Sequence, residues 1–336
     1  MGIEQIPLSQ AKLPEKDFRF EEKFKEREVI KLPGGDIKVL DVSPEHLLHE
    51  NPTLLIPGYS DNAPESRKAN ISTLYEEGRR ALMVESASGA DVEISDPKVN
   101  EFSDSLLRQV AAIEPVLEQK NIKVDAIGES RGGVVVLLAA YLYPEKFNNI
   151  VLIDPAGMVE SMNAAKLTMR FIMTGIAEGR IFAKREKMGD VSAMAKEQVV
   201  WGTANFVKWV ASNPMKRVEE IKDLSHVEVA HLLSEIKALG IGISIIHGVN
   251  DKVFPMEDMQ ASITNEINKV REKMKNEGAH EDEIANAYKK VVDGFYSVRG
   301  GHGDFNTNPE KYTWLASNAL TALEEKKKNK KADKPQ

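Results

Sequence analysis

Short apolar runs alternate with longer amphipathic segments along most of the chain, as in proteins built from alternating strands and helices. The runs that predict strands lie at residues 52–56, 80–86, 122–127, 149–153, 243–247 and 294–298. The segments that predict helices lie at residues 64–77, 100–119, 134–141 and from 308 onward. Residues 21–32 and 36–42, joined across a Pro-Gly-Gly turn, predict a hairpin. We therefore predict an α/β protein with a mostly parallel central sheet, helices on both faces, and an antiparallel hairpin at its entry.

The alternation stops at residues 155–226, which predict consecutive helices between two strands of the sheet. We interpret this insertion as a helical cap. It holds seven of the twelve methionines, and methionine side chains adapt to apolar ligands of varied shape. Met158, Met169 and Met173 are therefore candidates for the lining of an apolar substrate pocket. The alternative is that these methionines fill the seam between the cap and the sheet.

A G-x-S-x-G motif, G-E-S-R-G at residues 128–132, lies between the strand at 122–127 and the apolar helix at 134–141. A strand that turns sharply into a helix strains the backbone at the apex, and flanking glycines let other chain pass close to it. The apex residue, Ser130, then projects its hydroxyl clear of both elements, at a helix N-terminus that favours negative charge. We therefore interpret Ser130 as a nucleophile rather than as an idle serine in a glycine-rich turn.

A serine nucleophile needs a base, and the base needs an acid that orients it. His302 stands out among the seven histidines because it lies in R-G-G-H-G-D, directly after the last predicted strand. Asp251 follows the strand at 243–247, in H-G-V-N-D, and is the first candidate for the acid. Asp154, at the end of the strand at 149–153, is the competing candidate. Its alternative role is to cap the helix that follows.

Ser130, Asp251 and His302 occur in the chain order of α/β-hydrolases rather than in that of trypsin-like or subtilisin-like proteases. With G-E-S-R-G, with G-V-N-D after a strand and with G-G-H-G near the end, residues 25–325 resemble an α/β-hydrolase with a helical cap. They are similar to the bacterial esterase and lipase-like members. The resemblance implies that Ser130 is the nucleophile, His302 the general base and Asp251 its orienting acid. The expected substrate is a small-molecule ester with an apolar acyl group, and no cofactor or metal is expected.

An α/β-hydrolase of this kind stabilises the oxyanion with two backbone N–H groups, here expected from Arg131 and Tyr59. Family members often carry His-Gly in the second loop, whereas this chain has Pro57-Gly58. The chain also departs from the pattern between Asp251 and His302. Two extra amphipathic helices are predicted there, at 257–276 and 281–292, and are expected either to cover the site or to bind a partner.

Composition narrows the function classes. The chain of 336 residues has no cysteine, which excludes disulfides, thiolate metal sites and a cysteine nucleophile. Its net charge is −7, although residues 326–336 carry +5, so the remaining acidic body argues against nucleic acid as a partner. No apolar run has the length of a signal peptide or a membrane span, so a cytoplasmic protein is expected.

The predicted organisation is an irregular arm at 1–20, a core at 21–154 and 227–325, a cap at 155–226, and a basic disordered tail at 326–336. Two functional alternatives stay open. The same serine, histidine and aspartate would act equally on lactones, thioesters or carbon–carbon bonds, or as a perhydrolase. A non-catalytic relative acting as a binding protein is the other alternative, although such relatives usually lose a member of the triad.

Overall fold

The computed structural model describes residues 18–32, 35–58, 63–85, 99, 102–159 and 163–332. The strands within these residues are β1 Glu28–Leu32, β2 Gly35–Val42, β3 Thr53–Ile56, β4 Ala81–Val84, β5 Val124–Glu129, β6 Phe147–Ile153, β7 Gly242–Gly248 and β8 Gly294–Val298. The first helices are α1 Phe18–Lys25, α2 Lys68–Glu76, α3 Asp104–Gln119, α4 Arg131–Leu142, α5 Ala164–Lys187 and α6 Ala193–Ser212. They are followed by α7 Pro214–His226, α8 Leu232–Ala238, α9 Met256–Asn276, α10 Glu281–Ala285, α11 Asp304–Thr307 and α12 Pro309–Ala332. Single 3₁₀ turns precede α2 and β6 and follow α10.

The eight described strands form one sheet in the order β1-β2-β4-β3-β5-β6-β7-β8. The pairs β1–β2 and β2–β4 are antiparallel, and every later pair is parallel. This confirms the predicted mostly parallel sheet entered through a hairpin. Because β5 to β8 run the same way, their carboxyl ends lie along one edge of the sheet, where open α/β sheets place their ligand sites.

The central strands are buried on both faces, which explains why they are apolar runs rather than alternating patterns. In β6, Ile150 and Leu152 face one hydrophobic cluster, and Val151 and Ile153 face the other. The first cluster includes the apolar residues of α4, and the second includes those of α12. The sheet is therefore the middle layer of three.

Two terminal regions differ from the sequence-based expectation. Residues 21–25 belong to α1 rather than to the hairpin, because Phe20 and Phe24 lie one helical turn apart and bury their rings 5.4 Å from each other. At the other end, α12 continues to Ala332 instead of giving way to a disordered tail at Lys326. Lys326 Nζ donates to Asp293 Oδ1 at 2.6 Å, and Lys327 Nζ donates to the Asn148 carbonyl at 2.5 Å. These partners lie far away in sequence, so the lysine run gave no local sign of them.

The insertion between β6 and α8 consists of three helices, α5, α6 and α7, as the loss of alternation predicts. Helix α7 packs against α5, and α6 packs against α2 and the turn before it. In the part of the chain that the structure describes, none of the helices has both the length and the apolar character needed to cross a bilayer. The two helices predicted after β7 also differ in extent, since residues 281–292 form only the short α10 and a 3₁₀ turn.

Candidate active site

The turn from β5 into α4 holds Ser130 in a conformation that serine rarely adopts, with φ 52° and ψ −119°. The two glycines of the motif, Gly128 and Gly132, leave no room for a side chain. A Cβ on Gly128 would lie 2.7 Å from the Gly132 carbonyl oxygen, and a Cβ on Gly132 would collide with the carbonyl oxygens of Ile56 and Pro57. The glycines of the motif are therefore required by close backbone approach, as expected for a strained strand-to-helix turn.

Ser130, His302 and Asp251 come together at the carboxyl edge of the sheet. Ser130 Oγ lies 2.9 Å from His302 Nε2, and His302 Nδ1 lies 2.9 Å from Asp251 Oδ2. The three residues are 3%, 6% and 2% exposed, respectively. Since a carboxylate only accepts, Nδ1 carries the proton shared with Asp251, and Nε2 of the neutral ring is left to accept from the serine hydroxyl.

Asp251 and His302 are each held by further contacts. Asp251 Oδ1 accepts the N–H groups of Val253 at 2.7 Å and Phe254 at 2.9 Å. The Phe254 ring meets the His302 ring edge-on, with centroids 5.1 Å apart, and Phe171 of α5 does the same at 5.7 Å. The imidazole is therefore held at Nδ1 by a carboxylate and packed against two apolar rings.

Burial and neighbouring charge shift the pKa values of His302 and Asp251 in opposite directions. Burial disfavours the imidazolium form of His302, but the charge and hydrogen bond of Asp251 outweigh it and raise the pKa of His302 to about 9. Burial also disfavours the carboxylate of Asp251, but the charge and hydrogen bond of His302 outweigh it, so the pKa of Asp251 lies below its usual value. The two groups thus stabilise each other's charged form.

Asp154, the competing acid, is bonded elsewhere. It follows β6 with φ 44°, and its Oδ1 accepts the N–H of Gly248 at 2.7 Å. The same oxygen lies 3.1 Å from His247 Nδ1, and His247 Nε2 donates to the Phe254 carbonyl at 2.9 Å. Asp154 and His247 are fully buried, and this second acid–histidine pair supports the segment that carries Asp251.

Three ligand-type side chains, Asp154, His247 and Asp251, lie close enough for a metal ion, with ligand atoms within 4.8 Å of one another. Each has other bonds within the chain. Both oxygens of Asp251 accept hydrogen bonds, and His247 Nε2 is taken by the Phe254 carbonyl. We therefore interpret this cluster as an internal hydrogen-bond network.

Of the two residues expected to donate to the oxyanion, Arg131 is among the described residues and Tyr59 is not. Arg131 is the first residue of α4, so its N–H lies in the first turn, directly beside Ser130, where amide groups point out of the helix end. Tyr59 lies outside the described residues. The preceding residue, Gly58, is described, and its N–H donates to Glu129 Oε2 at 2.9 Å.

Glu129 is a supporting residue that sequence reasoning missed. Besides Gly58, its Oε2 accepts from Arg67 Nη2 at 3.0 Å, and Asn306 Nδ2 donates to its Oε1 at 3.4 Å. Glu129 and Arg67 are 3% and 1% exposed. An acidic residue at the end of a buried apolar strand was a usable signal for Glu129. Arg67 gave none, because 62 residues separate the partners.

The three candidate methionines have different surroundings. Met158 is fully buried in the hydrophobic core, whereas Met169 and Met173 are 58% and 59% exposed. On α5, they lie on the side away from Phe171, which contacts His302. Their role in acyl binding stays a prediction.

Glu178 is a second residue that sequence reasoning missed. It lies about two turns beyond Phe171 along α5, and its Oε1 accepts the N–H of Gly303 at 2.6 Å. Burial raises the pKa of Glu178 to about 7, although the hydrogen bond from Gly303 and the charge of His302 lower it. This side chain ties the helical insertion to the His302 loop.

Residues 51–286 match the family model described as alpha/beta hydrolase fold, so the chain belongs to the α/β-hydrolase family. No curated protein matches the chain by sequence.

Several solved structures share the fold. An esterase from Exiguobacterium antarcticum is 16% identical, with a TM-score of 0.54 over 86% of this chain and 96% of that one. A bacterial membrane phospholipase A is 16% identical, with a TM-score of 0.57 over 91% and 89%. A meta-cleavage product hydrolase from Pseudomonas fluorescens IP01 is 15% identical, with a TM-score of 0.52 over 90% and 99%. At these identities, the similarity shows the fold alone. The family match supports a hydrolase.

Proposed function

We propose that the protein is a serine hydrolase that cleaves carboxylic esters through an acyl-enzyme intermediate. The observation that carries the proposal is the hydrogen-bond chain from Ser130 through His302 to Asp251, at the carboxyl edge of the sheet. The strained backbone of Ser130 at a helix N-terminus supports the same role, because it exposes the hydroxyl where negative charge is favoured.

In this mechanism, His302 Nε2 takes the proton of Ser130 as Oγ attacks the ester carbonyl carbon. Asp251 holds the ring in the tautomer that leaves Nε2 unprotonated and stabilises the imidazolium that forms. His302 then protonates the departing alkoxide, and the acyl group stays on Oγ. His302 Nε2 then deprotonates a water molecule, which attacks the acyl carbon. As the acid leaves, Nε2 returns that proton to Ser130 Oγ.

The negative oxygen of each tetrahedral intermediate is assigned to the backbone N–H groups of Arg131 and Tyr59. The buried Glu129 supports this arrangement by binding the Gly58 N–H, next to Tyr59 in the chain. Arg67 in turn holds the Glu129 carboxylate. In this way, the Pro-Gly loop is supported by a salt bridge.

The proposed substrate is a small ester with an apolar acyl group, since Phe171 and Phe254 line the histidine. We also propose that the helical insertion acts as a lid. Ser130 and His302 are almost fully covered, and α5 contributes both Phe171 and Glu178 to that cover. Substrate entry then requires α5 to shift.

Hydrolysis of p-nitrophenyl esters of increasing acyl length tests the proposal, with a lactone and a thioester of matched chain length beside them. Wild type should hydrolyse at least one ester series. Ser130→Ala should lose activity by a factor on the order of 10⁴ or more, because the triad members act as a unit. An unchanged thermal midpoint shows that the variant is folded. Retention of most of the activity in Ser130→Ala, or hydrolysis of none of these substrates by wild type, would contradict the proposal.

A further inference from the structure

Exposed apolar side chains are concentrated on the helical insertion. Among the described residues, 17 large hydrophobic side chains are exposed, and 12 of them lie between residues 164 and 226. Four of these form a stripe on α5, namely Met169, Ile172, Met173 and Ile176, which are 48–59% exposed. Their spacing of three and four residues places them on one side of the helix. Apolar patches of this kind mark surfaces that meet a partner or a membrane.

The same side of α5 carries cations at both ends of the apolar stripe. Lys166 precedes it by three residues, and Arg180, Lys184 and Lys187 follow it at helical spacing, all exposed. None of the four is paired with a carboxylate within the described ranges. We call these four cations and the four apolar residues the outer face of α5.

No acidic side chain interrupts the outer face. Helix α5 has two acidic residues. Glu178 turns toward the His302 loop, where it binds the Gly303 N–H, and Glu186 pairs with Lys196 of α6 at 2.8 Å. Residues 155–226 contain eleven Lys and Arg against eight Asp and Glu, a net charge of +3, whereas the whole chain has −7. The insertion is therefore cationic on an acidic body.

We propose that the outer face of α5 docks on an anionic lipid surface. A helix that exposes apolar side chains flanked by Lys and Arg lies in the plane of a membrane interface, with the apolar residues entering the headgroup region and the cations facing lipid charge. The docking is independent of the proposed hydrolysis, because it is a property of the surface and is measured without turnover.

A second copy of the chain is a poorer occupant. In a two-fold symmetric contact, the same face meets itself. The four cations of each copy would then be buried near one another without a carboxylate on the face to offset them. An anionic lipid surface matches both components of the face, and the cytoplasmic leaflet carries such lipids.

Docking there would place the membrane next to the candidate active site. The inner side of α5 contacts His302 through Phe171, so the outer face lies roughly one helix diameter, about 10 Å, from the imidazole. An apolar ester dissolved in the bilayer would approach the proposed lid from this side.

Co-sedimentation with vesicles tests the docking. Wild type should bind vesicles of equal phosphatidylglycerol and phosphatidylcholine at least tenfold more strongly than vesicles of phosphatidylcholine alone, and high salt should weaken the binding. Lys184→Glu/Lys187→Glu and Ile172→Asp/Ile176→Asp should each reduce binding at least tenfold. All four positions are exposed, so the fold should tolerate the changes.

Matched controls lie outside the insertion. Lys273→Glu on α9, with a side chain 75% exposed, and Leu239→Asp after α8, 51% exposed, should bind like wild type. Equal losses in these controls would overturn the proposal, as would the absence of binding to anionic vesicles. Sedimentation velocity supplies the other decisive result. The proposal would be overturned if the wild type failed to bind vesicles and formed a dimer that Ile172→Asp/Ile176→Asp dissociates. That result would assign the face to a second copy.

Discussion

Ser130 occupies a backbone conformation that costs on the order of 1–3 kcal/mol for a residue with a side chain. Its N–H donates to the Ile153 carbonyl at 2.9 Å, and its own carbonyl accepts from Gly133 and Ala156. The turn is therefore held by β6 and by the segment after it. This strain is what directs the hydroxyl toward His302 instead of into the helix.

Substitution of the two candidate acids separates their roles. Asp251→Asn should lower kcat/KM by a factor on the order of 10³–10⁴, because the amide no longer selects the productive tautomer of His302. Asp154→Asn should cost less than about tenfold, since Asp154 lies against His247 and Gly248. Ester hydrolysis rates per folded molecule check the ranking. A larger loss in Asp154→Asn would move the acid to the end of β6.

The raised pKa of His302 predicts an alkaline pH dependence. The neutral imidazole is the base, and Asp251 stabilises the protonated form, so the free enzyme holds more of the inactive imidazolium at neutral pH. Below the pKa of His302, kcat/KM should rise with pH by roughly tenfold per unit. Initial rates between pH 6 and 10 measure this pH dependence, after the background rate of Ser130→Ala is subtracted at each pH. A profile that is flat from pH 6.5 to 9 would contradict it.

At this scale, the sequence predicted the residues that sit in recognisable patterns. Ser130 lies in a motif with a local mechanism, and His302 and Asp251 each follow a predicted strand. The choice of Asp251 over Asp154 could only be made as a preference, because both end strands on the same edge and the sequence does not show which one reaches His302. The roles of Arg67 and Glu178 could not be predicted from the sequence, because each binds a residue that is distant in the chain.

The connection from β5 to α4 is the element on which the site depends. Gly132 approaches the carbonyl oxygens of Ile56 and Pro57, so α4 starts in contact with the end of β3. Backbone atoms shift less easily than a flexible side chain. The spacing between α4 and β3 therefore does not tolerate a side chain at Gly132.

Two glycine substitutions test this dependence. Gly132→Ala should destabilise the protein by about 2 kcal/mol or more through overpacking, and should also displace Ser130. Gly175→Ala, on α5, meets no atom within 4 Å and should stabilise it by about 0.5–1 kcal/mol. Thermal midpoints measured side by side should move in opposite directions. Equal midpoints would show that the close approach at Gly132 is not required.

At the level of elements, the sequence predicted what periodicity encodes. The strands β3 to β8 are recognisable in the sequence as bounded apolar runs. Helix α1 was misread as strand, because a short amphipathic segment fits either period and Phe20 and Phe24 find their partners only in the folded core. The run of lysines at the end of α12 predicts disorder, because its bonding partners Asp293 and Asn148 are distant in sequence.

Across the whole molecule, the sheet is joined to its covering layers by buried polar contacts as well as by apolar packing. Arg79, fully buried, donates to Ser317 Oγ at 2.9 Å, Thr321 Oγ1 at 2.8 Å and Glu324 Oε1 at 2.8 Å, all on α12. On the opposite edge, α5 reaches the His302 loop through Glu178. The candidate site is thus enclosed between the sheet and a helix that also presents the cationic outer face.

The most direct test of the central claim is labelling with a fluorophosphonate, read by intact mass and by peptide mapping. If Ser130 is the activated nucleophile, one adduct should form per chain and should map to Ser130. Ser130→Ala should remain unlabelled, and His302→Ala should react at least 10²-fold more slowly, because the base is missing. A protein that stays unlabelled, an adduct on another serine, or equal labelling of Ser130→Ala would contradict the assignment.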